Sequence, residues 1–295
     1  MSTDKALVLS GGGTKGSWEA GVLLYLAEQG HPGFQYISGS SVGAIITGGL
    51  AMFPPEQFAE AAAFVEMIWR ERIISARNVW RLRWPLGLPG LWNASFGLNA
   101  PLRALLEECV DVEKIRSSGI QIRINAVDLL TGTLKVYDQD TEDIVQAILA
   151  SSAFPVAFPP VAVGDRLEVD GAVRDFTPVK AAIDAGASDI TILLTERSDR
   201  LSTVSRDKVR NSFQVTQRLL RIIFHEIVQN DIHQCQKING LLDRGLLMPH
   251  CGYRQIHLTV IQPSQPLGGP LEFGQDLIDR QLRQGYDDAR QQLGG

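Results

Sequence analysis

The chain has 295 residues, of which 44% are hydrophobic and 21% charged, a balance that is typical of a globular enzyme and excludes a disordered or fibrous chain. The formal net charge of -5 argues against a nucleic-acid-binding protein, because phosphate contacts require a concentrated basic face. The cysteines Cys109, Cys235 and Cys251 lie far apart without a Cys-x-x-Cys spacing, which favours a reducing compartment.

The N-terminal residues predict a cytoplasmic protein. Only Met1 to Lys5 precede the first apolar run, residues 6–9, which leaves no room for an apolar signal segment. A second apolar run, residues 42–53, is shorter than the ~20 residues that span a membrane, and Pro54-Pro55 ends it. Membrane contact is therefore expected to be peripheral.

The first predicted elements alternate between strands and helices. Residues 6–9 predict a strand that ends in glycines, and residues 18–26 predict a helix. Residues 34–38 predict a second strand, and residues 42–53 a buried helix. This order favours an α/β fold with three layers, α/β/α, around a mainly parallel central sheet.

Further strands are predicted in the second half of the chain. Residues 120–127 and 134–137 alternate with period two around a Thr-Gly turn, which predicts a hairpin at one side of the sheet. Residues 190–194 and 256–261 predict buried strands, the first of them after a helix over residues 179–185.

The chain is expected to form a single domain over residues 1–295, because it contains no linker and no internal repeat. We expect a helical insertion at residues 205–245 and a cap at residues 66–98. The cap segment is rich in tryptophan and arginine: Trp69, Trp80, Trp84, Trp92, Arg70, Arg72, Arg77, Arg81 and Arg83. Rings beside cations are typical of a lipid-facing surface, and packing on the core is the equal alternative.

The segment Gly39-Ser40-Ser41-Val42-Gly43 matches the pattern G-x-S-x-G, in which glycines permit a strained strand-to-helix turn that exposes the middle serine. It lies between a predicted strand and a predicted helix, whose N-terminus favours developing negative charge. A plain glycine-serine turn is the alternative. The context predicts that Ser41 is a nucleophile.

A glycine-rich loop, Gly11-Gly12-Gly13-Thr14-Lys15-Gly16, follows the first strand, and its unhindered N–H groups predict an oxyanion hole. The loop also satisfies the dinucleotide pattern G-x-G-x-x-G, which expects a carboxylate at the end of the second strand. Ile37-Ser38-Gly39-Ser40 stands there without one. A phosphate-binding P-loop is excluded because Gly16 follows Lys15.

A serine nucleophile needs a base, usually a histidine. The chain has five histidines, His31, His225, His233, His250 and His257. Of these, His250 or His257 could complete an ordinary triad, whereas His225 and His233 fit the polar face of a helix near residues 213–238. The alternative base is Asp170, an acid at a strand end with glycine after it. In isolation Asp170 predicts only a turn carboxylate.

Three motifs in this order, Gly-Gly-Gly-x-Lys-Gly, Gly-x-Ser-x-Gly and Asp-Gly-Ala, resemble those of the patatin-like phospholipases. The resemblance extends to residues 150–155, Pro159-Pro160 and residues 273–287. Residues 60–100 and 200–250 show the least likeness.

The resemblance implies a Ser-Asp dyad with Ser41 as nucleophile and Asp170 as general base, and the glycine loop as oxyanion hole, with neither metal nor cofactor. Gly171 and Ala172 complete the third motif, and Ala172 replaces a glycine that is frequent in the family. Asp175 stands where the family often has asparagine, and its charge could alter the protonation of Asp170.

The sequence thus predicts a serine-dependent hydrolase, a carboxylic ester hydrolase acting on fatty acyl esters of phospholipids or related lipids. A catalytically silent lipid-binding protein of the same fold is one alternative, and a dinucleotide-binding oxidoreductase is another. The dyad requires Asp170 to be partly desolvated, because an ordinary aspartate with a pKa of ~3.9 is a weak base toward serine.

Overall fold

The structure is a computed structural model that describes residues 5–82, 95–199, 201, 203–246 and 253–294. Within these residues the strands are β1 (Lys5–Leu9), β2 (Tyr36–Ser40), β3 (Arg81–Leu82), β4 (Gly97–Leu98), β5 (Gln121–Asp128), β6 (Leu134–Tyr137), β7 (Val161–Val163), β8 (Arg166–Asp170), β9 (Asp189–Leu193) and β10 (His257–Ile261). The α-helices are α1 (Gly16–Glu28), α2 (Val42–Leu50), α3 (Phe58–Met67), α4 (Ala100–Cys109), α5 (Val112–Ser117), α6 (Ile144–Ser151), α7 (Val179–Asp184), α8 (Ser212–Asp243) and α9 (Gln275–Leu293).

The main sheet has the strand order β10-β9-β1-β2-β5-β8-β7, with β6 also paired to β5. The pairs from β10 to β5 are all parallel, whereas the β5–β6, β5–β8 and β7–β8 pairs are antiparallel. A mainly parallel sheet was predicted, and the directions of these strand pairs confirm it. The β5–β6 hairpin occurs as the period-two pattern predicted.

Helices cover both faces of the sheet, as the side chains of β1 demonstrate. Leu7 and Leu9 belong to one buried cluster and Ala6 and Val8 to the other, because successive side chains of a strand point to opposite faces. Helices α1, α2, α3 and α9 contribute to the first cluster, and α7 and α8 to the second. The three-layer α/β/α prediction is therefore confirmed.

Strands β2 and β8 share one edge of β5. Asn125 pairs with both β2 and β6, so these strands lie on opposite edges of β5. Ala126 pairs with both β6 and β8, so β8 lies on the same edge as β2. Ser40, the last residue of β2, pairs with Asn125, and Asp170, the last residue of β8, pairs with Ala126. The two strand ends therefore meet.

Helix α8 occupies most of the predicted insertion at residues 205–245. Its buried stripe contains Phe224, Val228 and Ile232, as the helical spacing predicted, and Leu220 is half-buried beside it. Among the described residues, no helix is both long and apolar enough to cross a membrane.

Candidate active site

Ser41 lies in the sharp turn between β2 and α2. Its backbone has φ 58° and ψ -124°, a conformation that side-chain-bearing residues rarely adopt and that costs ~1–3 kcal/mol. The flanking glycines are required by close approach, since a Cβ on Gly39 would lie 2.2 Å from the carbonyl oxygen of Gly43. A Cβ on Gly43 would lie 2.5 Å from the carbonyl oxygen of Leu9. The turn therefore fits the G-x-S-x-G prediction.

Two serines form hydrogen bonds with the backbone of Ser41. The N–H of Ser41 donates to Oγ of Ser151 (3.1 Å), and the hydroxyl of Ser152 donates to the carbonyl oxygen of Ser41 (3.2 Å). Both serines are buried at the end of α6. In the sequence, residues 150–155 are marked only by the family resemblance, and no local pattern predicts their contact with Ser41.

The N–H groups of the glycine loop divide into paired and unpaired ones. Gly11 donates to Phe176 O (3.2 Å) and Thr14 to Pro270 O (3.0 Å). The N–H of Lys15 donates to Gly12 O (3.4 Å). The N–H groups of Gly12 and Gly13 have no partner among the described residues, and both glycines line the cleft that contains Ser41.

Neighbouring elements fix the conformation of this loop. The Thr195 hydroxyl donates to Gly11 O (2.5 Å), and a Cβ on Gly12 would lie 2.4 Å from the same hydroxyl. Gly13 has φ 61°, and a Cβ there would lie 2.1 Å from Pro270 O. A Cβ on Gly11 would lie 3.2 Å from that of Ser41, so the loop packs directly on the serine.

Gly16 packs closely against α2, and Lys15 forms a buried ion pair. Gly16 is the first residue of α1, where a Cβ would lie 2.5 Å from Val42. Lys15 is buried, and its Nζ bonds Oε1 of Glu196 (2.5 Å), which also accepts from Nε of Arg221 (2.9 Å). Burial lowers the pKa of Lys15 and opposes ionisation of Glu196, but the two cations hold the pKa of Glu196 at about 2. This ion cluster ties the loop to α8.

Asp170 ends β8 and is fully buried beside Ser41. Its Oδ1 accepts from the N–H of Ala172 (2.9 Å), and its Oδ2 has no hydrogen-bond partner among the described residues. Burial raises the pKa of Asp170 to about 7, against the opposing effects of the Ser41 side chain and the Ala172 N–H. The Ser41 hydroxyl therefore interacts with this carboxyl without reaching hydrogen-bond geometry. Such contacts often tighten only when substrate binds.

The turn after Asp170 is tied to β5. A Cβ on Gly171 would lie 2.1 Å from the carbonyl oxygen of Asn125 and 2.8 Å from Oγ of Ser40, so glycine is required there. The side chain of Asn125 donates to Oδ2 of Asp175 (2.7 Å). Burial, helped by Asp231, raises the pKa of Asp175 to about 6. Asp175 thus serves this turn as a hydrogen-bond acceptor.

The cleft beside Ser41 is mostly apolar. The empty space inside it, counted together with its open mouth, is about 960 Å³. Its walls come from the start of α2, the segments after α3, α4, the loop after α6, α8 and the 270–273 loop. Aromatic side chains line much of it: Trp69, Phe154, Phe158, Phe176, Phe224 and Phe273.

None of the four described histidines lines the cleft that contains Ser41. His31 stacks on Phe34 (4.4 Å between ring centroids) in the loop before β2, and His257 contacts Asp189 (3.2 Å) at the beginning of β10. Both positions lie at the opposite end of the parallel strands from Ser41. His233 is exposed on α8, and His225 lines a separate small pocket. His250 lies outside the described residues.

The tryptophan- and arginine-rich cap at residues 66–98 is only partly described, because residues 83–94, with Arg83, Trp84 and Trp92, lie outside the described residues. Trp69 is buried and lines the cleft, and Trp80 is half-buried. Arg70 bonds Glu66 and Asp279, and Arg72 bonds Glu108. For Trp69 the core-packing alternative holds.

A family model described as Patatin-like phospholipase matches residues 7–183 of the chain, more than half of its length. The chain belongs to the patatin-like phospholipase family. The match covers the glycine loop, the Ser41 turn and the Asp170 turn, and it confirms the resemblance of the three motifs. Membership of this family supports lipid acyl hydrolase activity in general.

The chain is also similar to two solved structures at low sequence identity. VipD from Legionella pneumophila is 14% identical, with 99% of this chain and 67% of that chain covered and a TM-score of 0.49. The type III effector protein ExoU is 14% identical, with 100% of this chain and 53% of that chain covered and a TM-score of 0.44. The chain thus spans about half the length of ExoU. A comparison with curated proteins gives no match.

Proposed function

We propose that the protein is a serine-dependent lipid acyl hydrolase of the carboxylic ester hydrolase class. In this proposal Ser41 is the nucleophile, Asp170 is the general base, and the Gly12 and Gly13 N–H groups form the oxyanion hole. The observation that carries the proposal is the juxtaposition of Ser41 with a buried carboxylate whose Oδ2 has no partner among the described residues.

Burial gives Asp170 the basicity that an ordinary aspartate lacks. A base is most effective when its pKa lies near the working pH, and the pKa of Asp170 is about 7. At neutral pH a large fraction of the carboxyl is ionised, yet it still binds a proton readily. Because the hydrogen bond from Ala172 occupies Oδ1, Oδ2 is the atom that receives the proton.

The first half of the proposed reaction is acyl transfer to the enzyme. The Ser41 hydroxyl attacks the ester carbonyl carbon while its proton passes to Oδ2 of Asp170. The carbonyl oxygen gains negative charge and accepts hydrogen bonds from the Gly12 and Gly13 N–H groups. When the tetrahedral intermediate collapses, the alcohol leaves with the proton from Asp170 and the acyl group stays on Ser41.

The second half repeats these roles with water. Asp170 takes a proton from a water molecule, whose oxygen attacks the acyl carbon. The same two N–H groups stabilise the new oxyanion. Collapse releases the fatty acid and returns the proton to Oγ of Ser41, so the enzyme is regenerated.

The cleft supports a fatty acyl chain as the substrate group. Side chains such as Phe154, Phe176 and Phe224 provide apolar surface beside Ser41, and an acyl chain gains free energy by leaving water. Among the described residues that line the cleft, the charged ones are Lys15, Glu196 and Arg221, and their ion pairs already satisfy Glu196. A long-chain ester therefore fits this cleft better than a polar metabolite.

Hydrolysis of a p-nitrophenyl ester by purified variants tests this proposal. We expect Ser41→Ala and Asp170→Asn each to reduce kcat to the background rate. Asp175→Asn is the matched control, because it neutralises a neighbouring half-buried acid and keeps an oxygen for Asn125; it should remain active. His257→Ala should also remain active. Retained activity in Ser41→Ala would contradict the proposal.

A further inference from the structure

Helix α8 carries apolar residues on two opposite faces. The inner face packs on the sheet through Phe224 and Val228. The outer face of its first three turns carries four exposed aliphatic side chains at helical spacing: Val215 (41% exposed), Leu219 (55%), Ile222 (43%) and Ile223 (49%). We call these four residues the outer stripe. An exposed apolar patch of this kind marks a contact surface.

The outer stripe lies next to the cleft. Gln217, Arg221 and Phe224 line the cleft on the same turns of α8 that carry the stripe on their outer side. A further exposed aliphatic side chain adjoins the cleft, because Ile73 lines the cleft and the next residue, Ile74, is 43% exposed. A surface that contacted the stripe would therefore meet the mouth of the cleft.

The charge of this region is opposite to that of the whole chain. Residues 206–223 contain five basic residues and a single acidic one, Asp207, although the net charge of the chain is -5. The basic residues are Arg206, Lys208, Arg210, Arg218 and Arg221. Arg206 and Arg210 are exposed immediately before α8. Glu226 is the first acidic residue after the stripe.

We propose that the outer stripe, with Arg206 and Arg210, docks the protein on an anionic lipid surface and brings the mouth of the cleft onto the bilayer. Aliphatic side chains flanked by cations are the combination that binds a helix to the plane of such a surface. The neighbouring ester lipids would then enter the cleft without crossing water. This inference rests on the proposed hydrolase function, because that function supplies the lipid substrate.

Vesicle flotation of the Ser41→Ala protein tests docking without hydrolysis of the vesicles. We expect binding to vesicles of phosphatidylcholine mixed with phosphatidylserine, weaker binding to pure phosphatidylcholine, and loss of the difference at high salt. Leu219→Gln/Ile222→Gln should weaken binding about tenfold or more, because two aliphatic side chains no longer enter the interface. Arg206→Gln/Arg210→Gln should remove the preference for phosphatidylserine.

Leu246→Gln is the matched control. Leu246 is 67% exposed and follows the same helix, and its N–H donates to the carbonyl oxygen of Leu241 (2.9 Å). Two residues before Leu241, Asn239 bonds Ile256 just before β10, so this end of α8 lies at the end of the sheet remote from Ser41. Its replacement should leave vesicle binding at the parental level. Thermal unfolding of each variant separates a loss of docking from a loss of fold. Equal binding by Leu219→Gln/Ile222→Gln and Leu246→Gln would overturn the docking surface, as would no binding by the parent.

Hydrolysis assays distinguish failure of the docking proposal from failure of the hydrolase proposal. With Ser41 intact, the rate on anionic vesicles divided by the rate on a soluble short-chain ester should fall about tenfold in Leu219→Gln/Ile222→Gln and stay constant in Leu246→Gln. An unchanged ratio would count against docking through the stripe. Ester hydrolysis that survives Ser41→Ala would instead refute the nucleophile and leave the flotation result standing.

Discussion

The backbone N–H of Ala172 donates the hydrogen bond that fixes Oδ1 of Asp170 (2.9 Å), and this bond leaves Oδ2 without a partner among the described residues. A carboxylate held in this way is oriented but poorly solvated. Its orientation and its raised pKa therefore have the same origin, the burial of the strand end at which β8 meets β2.

The first prediction concerns the pH dependence of hydrolysis. Asp170 must be ionised to accept the Ser41 proton, and its pKa is about 7. We expect kcat/KM for a soluble ester to rise about tenfold per pH unit at acidic pH and to level off above an apparent pKa of about 7. Asp175 has a pKa of about 6, so Asp175→Asn is the control and should keep the rise of kcat/KM with pH. If this rise disappeared in Asp175→Asn, the group that titrates would be Asp175 and not Asp170.

The second prediction concerns stability. The folded-state pKa of Asp170 is raised from 3.8 to about 7, so its protonated form favours folding below pH 3.8, and that contribution is lost as the pH rises toward 7. Asp170→Asn should therefore be inactive but more stable than the parent at pH 8, by a few degrees in Tm at ~2–4 °C per kcal/mol. The gain should shrink as the pH falls toward 4. A lower Tm at pH 8 would show that Asp170 stabilises the fold.

The third prediction concerns the glycine loop. Gly13→Ala places a Cβ at φ 61° and 2.1 Å from Pro270 O, so the N–H of residue 13 must move away from the cleft. Loss of one oxyanion donor typically lowers kcat about 100- to 1,000-fold, and we expect a fall of this size with a smaller change in KM. Gly240→Ala is the control, because a Cβ there meets no atom of the described residues within 4 Å outside the adjacent backbone of its own helix; it should stay active. An unchanged kcat in Gly13→Ala would remove this loop from catalysis.

The fourth prediction concerns Glu19, a fully buried residue of α1 whose two carboxyl oxygens have no partner among the described residues. Burial raises its pKa well above 4.5, so its contribution to stability is complete below that pH and decreases as the pH rises. Glu19→Gln should be more stable than the parent by a margin that grows above pH 4.5. Thermal unfolding at several pH values measures this margin. Glu60→Gln, at an exposed position of α3, should show none.

Local patterns in the sequence were sufficient to predict the Ser41 turn and most strands of the main sheet, although β7 was not predicted. The glycines at 39 and 43 are required by contacts within a few residues of Ser41 or with the adjacent β1. The local G-x-S-x-G pattern is therefore enough to predict this turn. The period-two pattern of residues 120–127 likewise predicts β5. The Asp-Gly-Ala turn required the family resemblance, because an isolated Asp-Gly predicts only a turn.

The contacts between distant segments could not be predicted from the sequence. Lys15 and Glu196 are separated by 181 residues, and no local pattern pairs them. The same holds for Ser41 and Ser151, and for Thr14 and Pro270. The outer stripe of α8 was also missed: the helical spacing predicted the buried face correctly, but the surface of the helix away from that face was expected to be polar.

Labelling with a fluorophosphonate, followed by mass spectrometry of the digested protein, tests the central claim most directly. Reaction requires an activated serine, so the adduct should lie on Ser41, form faster at pH 8 than at pH 6, and be absent in Ser41→Ala. Asp170→Asn should label at a much lower rate, and Asp175→Asn at nearly the parental rate. No adduct on Ser41 in the parent protein, or equal labelling of Asp170→Asn and the parent, would contradict the Ser41–Asp170 dyad.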